Sequence, residues 1–165
     1  FEMLRKNEVD IVFTLDLHIY DPEFLILGES SEECHFAVSA EHPTVPADHI
    51  SLAELIQYPF ILTERNMSYR KPLDMRLASE SLEVHPVLEI GDPHQICKII
   101  EESGGVSFLP DFVTRQYVDE GRLSYLKVDN CDIQVWKQIL IHKNKWKSPA
   151  MDAFIRYYSK VIENR

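Results

Sequence analysis

The sequence predicts an α/β fold, because short β-rich runs alternate with amphipathic stretches that carry helix-capping residues. Strands that are separated by helices favour a largely parallel sheet with helical crossovers. With 45% hydrophobic and 27% charged residues, the chain has the composition of an ordinary globular protein. Its 165 residues are enough for one good core or for two small lobes that share a hinge.

Eight segments are predicted as strands, since most of them carry β-branched or aromatic residues. They are residues 9–14, 24–27, 35–40, 60–63, 86–90, 106–109, 123–128 and 133–142. The charged segment 29–33 between the second and third strands is predicted to be a loop or a connection between lobes.

The predicted helices are recognised by their ends. Ser51 and Glu54 form a capping box, and Asp92 followed by Pro93 has the pattern of a second helix start. One further helix follows Pro110, and the last begins at Ser148 with the clearest apolar stripe of the chain. Residues 1–8 have the pattern of the end of a helix that runs directly into the first strand, so we expect further structure before Phe1.

Composition and charge exclude several classes of protein. The net charge of −10, without a cluster of Lys and Arg, predicts a poor DNA binder when this chain acts alone. The apolar runs are shorter than the roughly 18 residues that a membrane span needs, and no secretion signal is visible. Three cysteines are an odd number with no metal-binding spacing, which favours reduced thiols in a cytoplasm.

No motif for catalysis or for a cofactor can be assembled from these residues. The five glycines form neither a phosphate-binding loop nor a dinucleotide-binding fingerprint, and no serine lies in a nucleophile elbow. The spacing of Cys34, His35 and His42 fits no tetrahedral metal site. We therefore expect no metal, no cofactor and no enzymatic activity, with a hydrolase or metal-binding enzyme as the less favoured alternative.

A candidate ligand site follows the strand that ends at Thr63. A helix is predicted to begin within residues 68–72, and free N–H groups at helix starts attract anions. Ser68 can donate its hydroxyl there, and Arg65, Arg70 and Lys71 add positive charge to an otherwise acidic chain. The pattern predicts a small anionic ligand. The alternative is that Ser68 only caps the helix and the basic side chains are solvated.

Two other strand ends follow the same logic. The strand 86–90 ends just before Asp92, and His94 lies in the first turn of the helix that follows. The strand 9–14 ends at Thr14. If these ends share one face, then Thr14, Ser68 and His94 surround one cleft.

Several short motifs occur in a characteristic order along the chain. They are LRKNEVDI at residues 4–11, His42-Pro43, SLAEL at 51–55 followed by PFI at 59–61, GGVSFLP at 104–110 and GRL at 121–123. In this order they resemble the effector-binding domain of LysR-type transcriptional regulators, with Asn7 in place of the family's usual glycine.

The resemblance implies two α/β lobes like those of periplasmic binding proteins, joined by two crossover strands at residues 35–40 and 106–109. Lobe I is then 1–39 with 110–165, and lobe II is 40–109. It implies an effector in the cleft between the lobes, at the strand ends and helix starts noted above. The effector-binding residues carried over in this way are Thr14, Thr63, Ser68, Tyr69, Arg70, Asp92 and His94.

The same resemblance implies a cytoplasmic, effector-sensing module of a DNA-binding regulator that forms homo-oligomers when intact and senses a small anionic metabolite. By this reading the helix-turn-helix and linker helix of the family are missing here, as are the first strand and helix of lobe I, so contact with DNA belongs to the missing part. The alternative with the same two-lobed fold is a periplasmic-type solute-binding protein.

Overall fold

The computed structural model describes residues 1–41, 45 and 49–163, with the side chains of 159–163 left aside, and it has a mixed α/β fold. The elements in chain order are α1 (Glu2–Arg5), β1 (Val12–Asp16), β2 (Phe24–Ser39), α2 (Leu52–Leu55), β3 (Ile61–Leu62), α3 (Arg70–Ser79), β4 (Leu88–Glu89), α4 (Pro93–Ser103), β5 (Val106–Pro110), α5 (Asp111–Asp119), β6 (Leu123–Leu126), β7 (Ile133–His142) and α6 (Pro149–Glu163). The His42-Pro43 motif lies outside the described residues.

The predicted helix ends are confirmed. At α2 the Ser51 hydroxyl accepts from the backbone N–H of Glu54, and the Glu54 carboxylate accepts from the backbone N–H of Ser51. At α4 the Asp92 side chain accepts from the backbone N–H of His94, and the helix ends at Gly104 with a left-handed φ of 74°. Capping is a local property of the sequence, which is why these starts and stops could be read directly.

The predicted strands 24–27 and 35–40 belong to the single strand β2, so the loop alternative for residues 29–33 is wrong. The boundary between the two compact units falls within this segment, after Ser31. The polar residues between them alternate between exposed and half-buried positions, as a strand with one solvated face allows. In the sheet, β2 has β7 as a neighbour. Backbone pairing with a neighbouring strand therefore overrides the weak strand propensity of this charged segment.

The prediction of a largely parallel sheet is also wrong. β1 pairs antiparallel with β7, and both β5 and β6 pair antiparallel with β2. Among the described strands, β3 and β4 pair in parallel, and an isolated parallel bridge joins Phe60 to Val106. The helices α3 and α4 are the crossovers of these parallel connections. The antiparallel partners are distant in sequence, so the alternation of helices and strands does not predict their direction.

The chain divides into two compact units, and β2 begins in the first and ends in the second. Unit 1 comprises Phe1–Ser31 and Val135–Arg165, and unit 2 comprises Glu32–Gln134. These ranges are not the same as the predicted lobe ranges, and the lobe boundaries stay a prediction. None of the described helices is long and apolar enough to span a bilayer.

Each unit has its own core. In unit 1, Leu4 of α1 packs with Phe24 and Leu140. In unit 2, Phe36 of β2 contacts the rings of Phe60 and Phe108 at centroid distances of 6.3 and 4.9 Å. The buried aromatic cluster fixes β2 and β5 against the segment that leads into β3, and so positions the ends of the parallel strands.

The start of β5 approaches the start of β3 closely at Gly105. A Cβ on Gly105 would lie 3.0 Å from Ile61 Cδ1 and 3.2 Å from the backbone oxygen of Pro59. We expect Gly105→Ala to lower the free energy of unfolding by about 1–3 kcal/mol through overpacking. Urea unfolding measures this change.

Gly91→Ala is the matched control, because its added Cβ meets its nearest neighbour, Glu64 Oε1, at an ordinary 3.5 Å. Equal stabilities of the two variants would contradict the close approach at Gly105.

Candidate functional site

The candidate site lies in unit 2, at the carboxyl ends of β3 and β4. The two strands pair in parallel, with Leu62 opposite Glu89. The loops that follow them lie side by side, since a Cβ on Gly91 would be 3.5 Å from a Glu64 carboxylate oxygen. Helix α3 begins after the first loop and α4 after the second. This is the strand-end geometry in which open α/β sheets bind ligands.

Arg70 is the side chain that ties this edge together. Its guanidinium is 1% exposed; Nη1 donates to the backbone oxygen of Thr63 at 2.8 Å and to Glu89 Oε1 at 3.1 Å, and Nε donates to Asp74 Oδ1 at 2.9 Å. One buried cation thus connects α3 with the ends of β3 and β4. These contacts favour a positioning role for Arg70 over the predicted contact with an anionic ligand, which stays a prediction.

Two buried hydroxyl groups at this edge have no hydrogen-bond partner among the described residues. They belong to Thr63, which is 1% exposed, and Tyr69, which is 3% exposed. Burial raises the pKa of the Tyr69 phenol to about 12, and the nearby Asp92 carboxylate raises it further. The Thr63 hydroxyl lies close enough to oppose this shift, although the two hydroxyls do not meet in hydrogen-bond geometry. Thr63, Tyr69 and Asp92 therefore share one neighbourhood. A buried hydroxyl without a partner is uncommon in folded proteins.

The remaining predicted residues of unit 2 flank this neighbourhood. Asp92 is exposed and accepts from the backbone N–H of His94 at 2.9 Å, so its carboxylate caps α4. His94 is exposed in the first turn of α4. Ser68 is half-buried and does not cap α3, whose N-cap position is occupied by Tyr69 without a side-chain hydrogen bond. Of the alternative reading, the part in which Ser68 caps the helix is wrong, whereas the solvated basic side chains hold for Arg65 and Lys71, which are exposed.

Thr14 is the one predicted site residue in unit 1. It is half-buried in β1 and lies opposite Gln138 of β7. Gln138 is fully buried; its Oε1 accepts from the backbone N–H of Ile19 at 2.9 Å, and its Nε2 donates to Glu29 at 3.2 Å. The grouping of the seven predicted residues in one site stays a prediction.

Sequence reasoning missed Ser107. This β5 residue is fully buried, and its hydroxyl has no partner among the described residues. The available signal was a hydroxyl side chain inside the apolar run Val106–Pro110, which reads as a fully buried strand. Within the part of the chain that the structure describes, no cluster of His, Cys, Asp and Glu side chains is arranged to hold a metal.

Comparison with known proteins gives a consistent result. The family described as "LysR substrate binding domain" matches residues 1–162. An uncharacterized HTH-type transcriptional regulator of Bacillus subtilis (strain 168), YwqM, is 27% identical over 163 residues, which are 98% of this chain and 55% of that protein. A probable RuBisCO transcriptional regulator of Synechocystis sp. (strain ATCC 27184 / PCC 6803 / Kazusa) is 21% identical over 134 residues, which are 79% of this chain and 39% of that protein. The chain spans about half the length of the curated relatives it matches.

Solved structures support the same fold. The regulatory domain of Synechocystis PCC6803 CcmR, in complex with 2-PG, has a TM-score of 0.78 at 18% identity, over 99% of this chain and 78% of that one. The effector-binding domain of QuiR, in complex with shikimate, has a TM-score of 0.76 at 16% identity, over 99% of this chain and 77% of that one. At these identities the likeness is one of fold.

The positioning role of Arg70 can be tested by Arg70→Met. The variant leaves the Thr63 carbonyl and two carboxylates without their buried partner, so we expect the free energy of unfolding to fall by about 2–4 kcal/mol. Urea unfolding is the measurement.

Arg65→Met is the matched control, because Arg65 is exposed and lies 3.7 Å from Glu83, a surface pair expected to contribute less than about 1 kcal/mol. A loss at Arg70 no larger than the loss at Arg65 would show that the buried contacts do not hold this edge together.

The raised pKa of Tyr69 predicts a loss of stability at high pH. The phenol ionises near pH 10 in the unfolded chain and near pH 12 in the folded one, so its contribution is complete below pH 10 and is lost as the pH rises toward 12. Urea unfolding on either side of pH 10 should therefore show a steeper decline for the wild type than for Tyr69→Phe. Parallel declines would mean that the phenol ionises normally in the folded protein.

Proposed function

The chain belongs to the LysR substrate-binding domain family, the effector-binding regulatory domain of LysR-type regulators, and on that premise we propose that it senses a small anionic metabolite for a DNA-binding transcription regulator. The family consists of non-enzymatic regulatory domains, in agreement with the prediction that the chain is not an enzyme. Membership disfavours both alternatives considered from the sequence, the hydrolase and the periplasmic-type solute-binding protein.

The observation that carries the ligand proposal is the pair of buried hydroxyls of Thr63 and Tyr69 beside the start of α3, which have no hydrogen-bond partner among the described residues. In this proposal the two hydroxyls bind oxygen atoms of the ligand. The regulatory domain of CcmR forms a complex with 2-PG, and the effector-binding domain of QuiR forms one with shikimate. Both compounds serve as probes for this chain.

The charges around the site restrict the ligand further. Arg70 is engaged by two carboxylates, and Glu64 and Asp92 add negative charge at the same edge. A ligand recognised mainly by a strong cation does not fit this arrangement. We therefore propose a metabolite that combines hydroxyl groups with a single acidic group, with Ser68 and His94 as outer contacts and Thr14 as the proposed contact from unit 1.

In the intact regulator the effector acts by a shift in population. The ligand binds one arrangement of a homo-oligomer better than another, and this difference in affinity changes how the DNA-binding parts are held. We propose a cytoplasmic location and contact with DNA only through a part of the protein outside this chain. The net charge of −10 supports the second point, because a chain of this charge repels the phosphate backbone.

Thr63→Val and Tyr69→Phe test the ligand proposal. Each variant removes a buried hydroxyl without a partner, so we expect stability to stay equal or to rise by up to about 1 kcal/mol. The same variants should bind the ligand about tenfold more weakly, because a hydrogen bond of the complex is lost. Thermal-shift screening of small carboxylates and phosphates, including 2-PG and shikimate, followed by calorimetric titration of the hits, gives both quantities.

Thr114→Val is the matched control, because the buried Thr114 hydroxyl is hydrogen-bonded to the Tyr125 hydroxyl at 2.7 Å. This variant should lose about 1 kcal/mol of stability and keep the affinity of the wild type. A panel without any stabilising anion, or hits that bind Thr63→Val as tightly as the wild type, would contradict the proposed site.

A further inference from the structure

Unit 1 contains a surface cavity of about 580 Å³ that is separate from the candidate site of unit 2. It lies between α1, the end of β7, the turn that follows and the start of α6. Its volume is within the range of about 300–1,000 Å³ that is typical of small-molecule sites. We propose that this cavity is a second ligand site, and that it takes a small carboxylate with an apolar ring.

The apolar part of the cavity fits a ring. Leu4 and Met151, both buried, line the cavity. Trp146 also lines it and is 77% exposed, and its indole makes no ring contact with another described aromatic side chain. An exposed tryptophan beside the apolar part of the cavity offers a face on which a planar ligand can stack.

The polar part of the cavity offers hydrogen-bond donors. The Lys145 side chain is only 14% exposed, and its ammonium contacts the Asn7 side-chain oxygen and the Asp10 carboxylate. An ammonium has three N–H donors. Among the described residues, Asn7 and Asp10 accept two of them, so the third is available to a ligand. The ring Nδ1 of His142 accepts from the backbone N–H of Asn144 at 3.2 Å, which leaves Nε2 as the ring nitrogen that can donate.

The charges at the cavity favour an anion of modest affinity. Arg5 lines the cavity as well, but its guanidinium is paired with Glu2, Asp21 and Glu23. Lys145 is paired with one carboxylate against three for Arg5, so among the described lining residues it is the cation that we assign to the ligand; Asp10, whose side chain is 64% exposed, offsets part of its charge. Removal of the Asp10 charge should strengthen the binding of an anion and weaken the binding of a cation.

Tryptophan fluorescence tests the proposal with two probes of opposite charge, phenylacetate and benzylamine. The variant Trp136→Phe leaves Trp146 as the sole tryptophan of the chain, so that a change in emission reports on this cavity. We expect saturable quenching by phenylacetate and none by benzylamine. No saturation by phenylacetate, or equal binding of both probes, would overturn the proposal.

Three further variants in that background assign the contacts. Lys145→Met should weaken phenylacetate binding at least about tenfold, as expected for a lost charge-assisted hydrogen bond. Lys143→Met is its matched control and should change nothing, because Lys143 lies two residues away, is exposed and donates to the Pro22 carbonyl. Asp10→Asn keeps Lys145 in place and should tighten phenylacetate binding severalfold. This variant therefore tests the role of Lys145 even if Lys145→Met does not fold. Equal affinities of Asp10→Asn and its parent would overturn the role of Lys145.

Thr63→Val tests whether phenylacetate binds at the candidate site of unit 2 instead of at this cavity. We expect this variant to leave the quenching by phenylacetate unchanged. If Thr63→Val abolishes the quenching, the probe binds at the site of the proposed function and the cavity proposal fails by itself.

Discussion

The buried guanidinium of Arg70 is the interaction on which the geometry of the candidate site depends. The strands β3 and β4 are two residues long, so their own backbone pairing provides few hydrogen bonds. Arg70 is the first residue of α3, and it joins this helix to the Thr63 carbonyl just after β3 and to Glu89 of β4, while Asp74 of the same helix accepts from Nε. One side chain therefore sets the position of the Thr63 backbone and of the turn that carries Tyr69. A buried cation of this kind is stable only when all of its partners are in place.

The charges at this edge follow from that arrangement. A run with Arg65, Arg70 and Lys71 suggests an anion-binding patch when it is read along the sequence. In the folded chain the three side chains differ, since Arg70 is buried among carboxylates whereas Arg65 and Lys71 are exposed. The charge that a ligand meets there is therefore less positive than the sequence suggests, and hydroxyl groups become the main donors of the proposed site. This is the physical reason why the ligand we propose is rich in oxygen atoms but carries little charge.

What the sequence could predict here is what local chemistry decides. The starts of α2 and α4 depend on residues within three positions of each other, and both predictions are confirmed. The continuity of β2 and the antiparallel pairing of β1 with β7 depend on partners far away in the chain, and both predictions failed. Arg70 lies between these cases. Its pairing with Asp74 has the i,i+4 spacing of a helical ion pair and could have been noticed, whereas its contacts with Thr63 and Glu89 require the fold.

The same limit applies to the site itself. Nothing in the pattern around Thr63 and Tyr69 shows that their hydroxyls are buried without partners, because burial is a property of the packed domain. Each such group destabilises a fold by about 1–3 kcal/mol, which is a substantial part of the 5–15 kcal/mol of a typical domain. A ligand that pairs with these hydroxyls removes this penalty and at the same time stabilises the folded state by mass action. For regulation, this pairing must differ between the two arrangements of the regulator, since the effector can change an equilibrium only by the difference in its affinity for the two states.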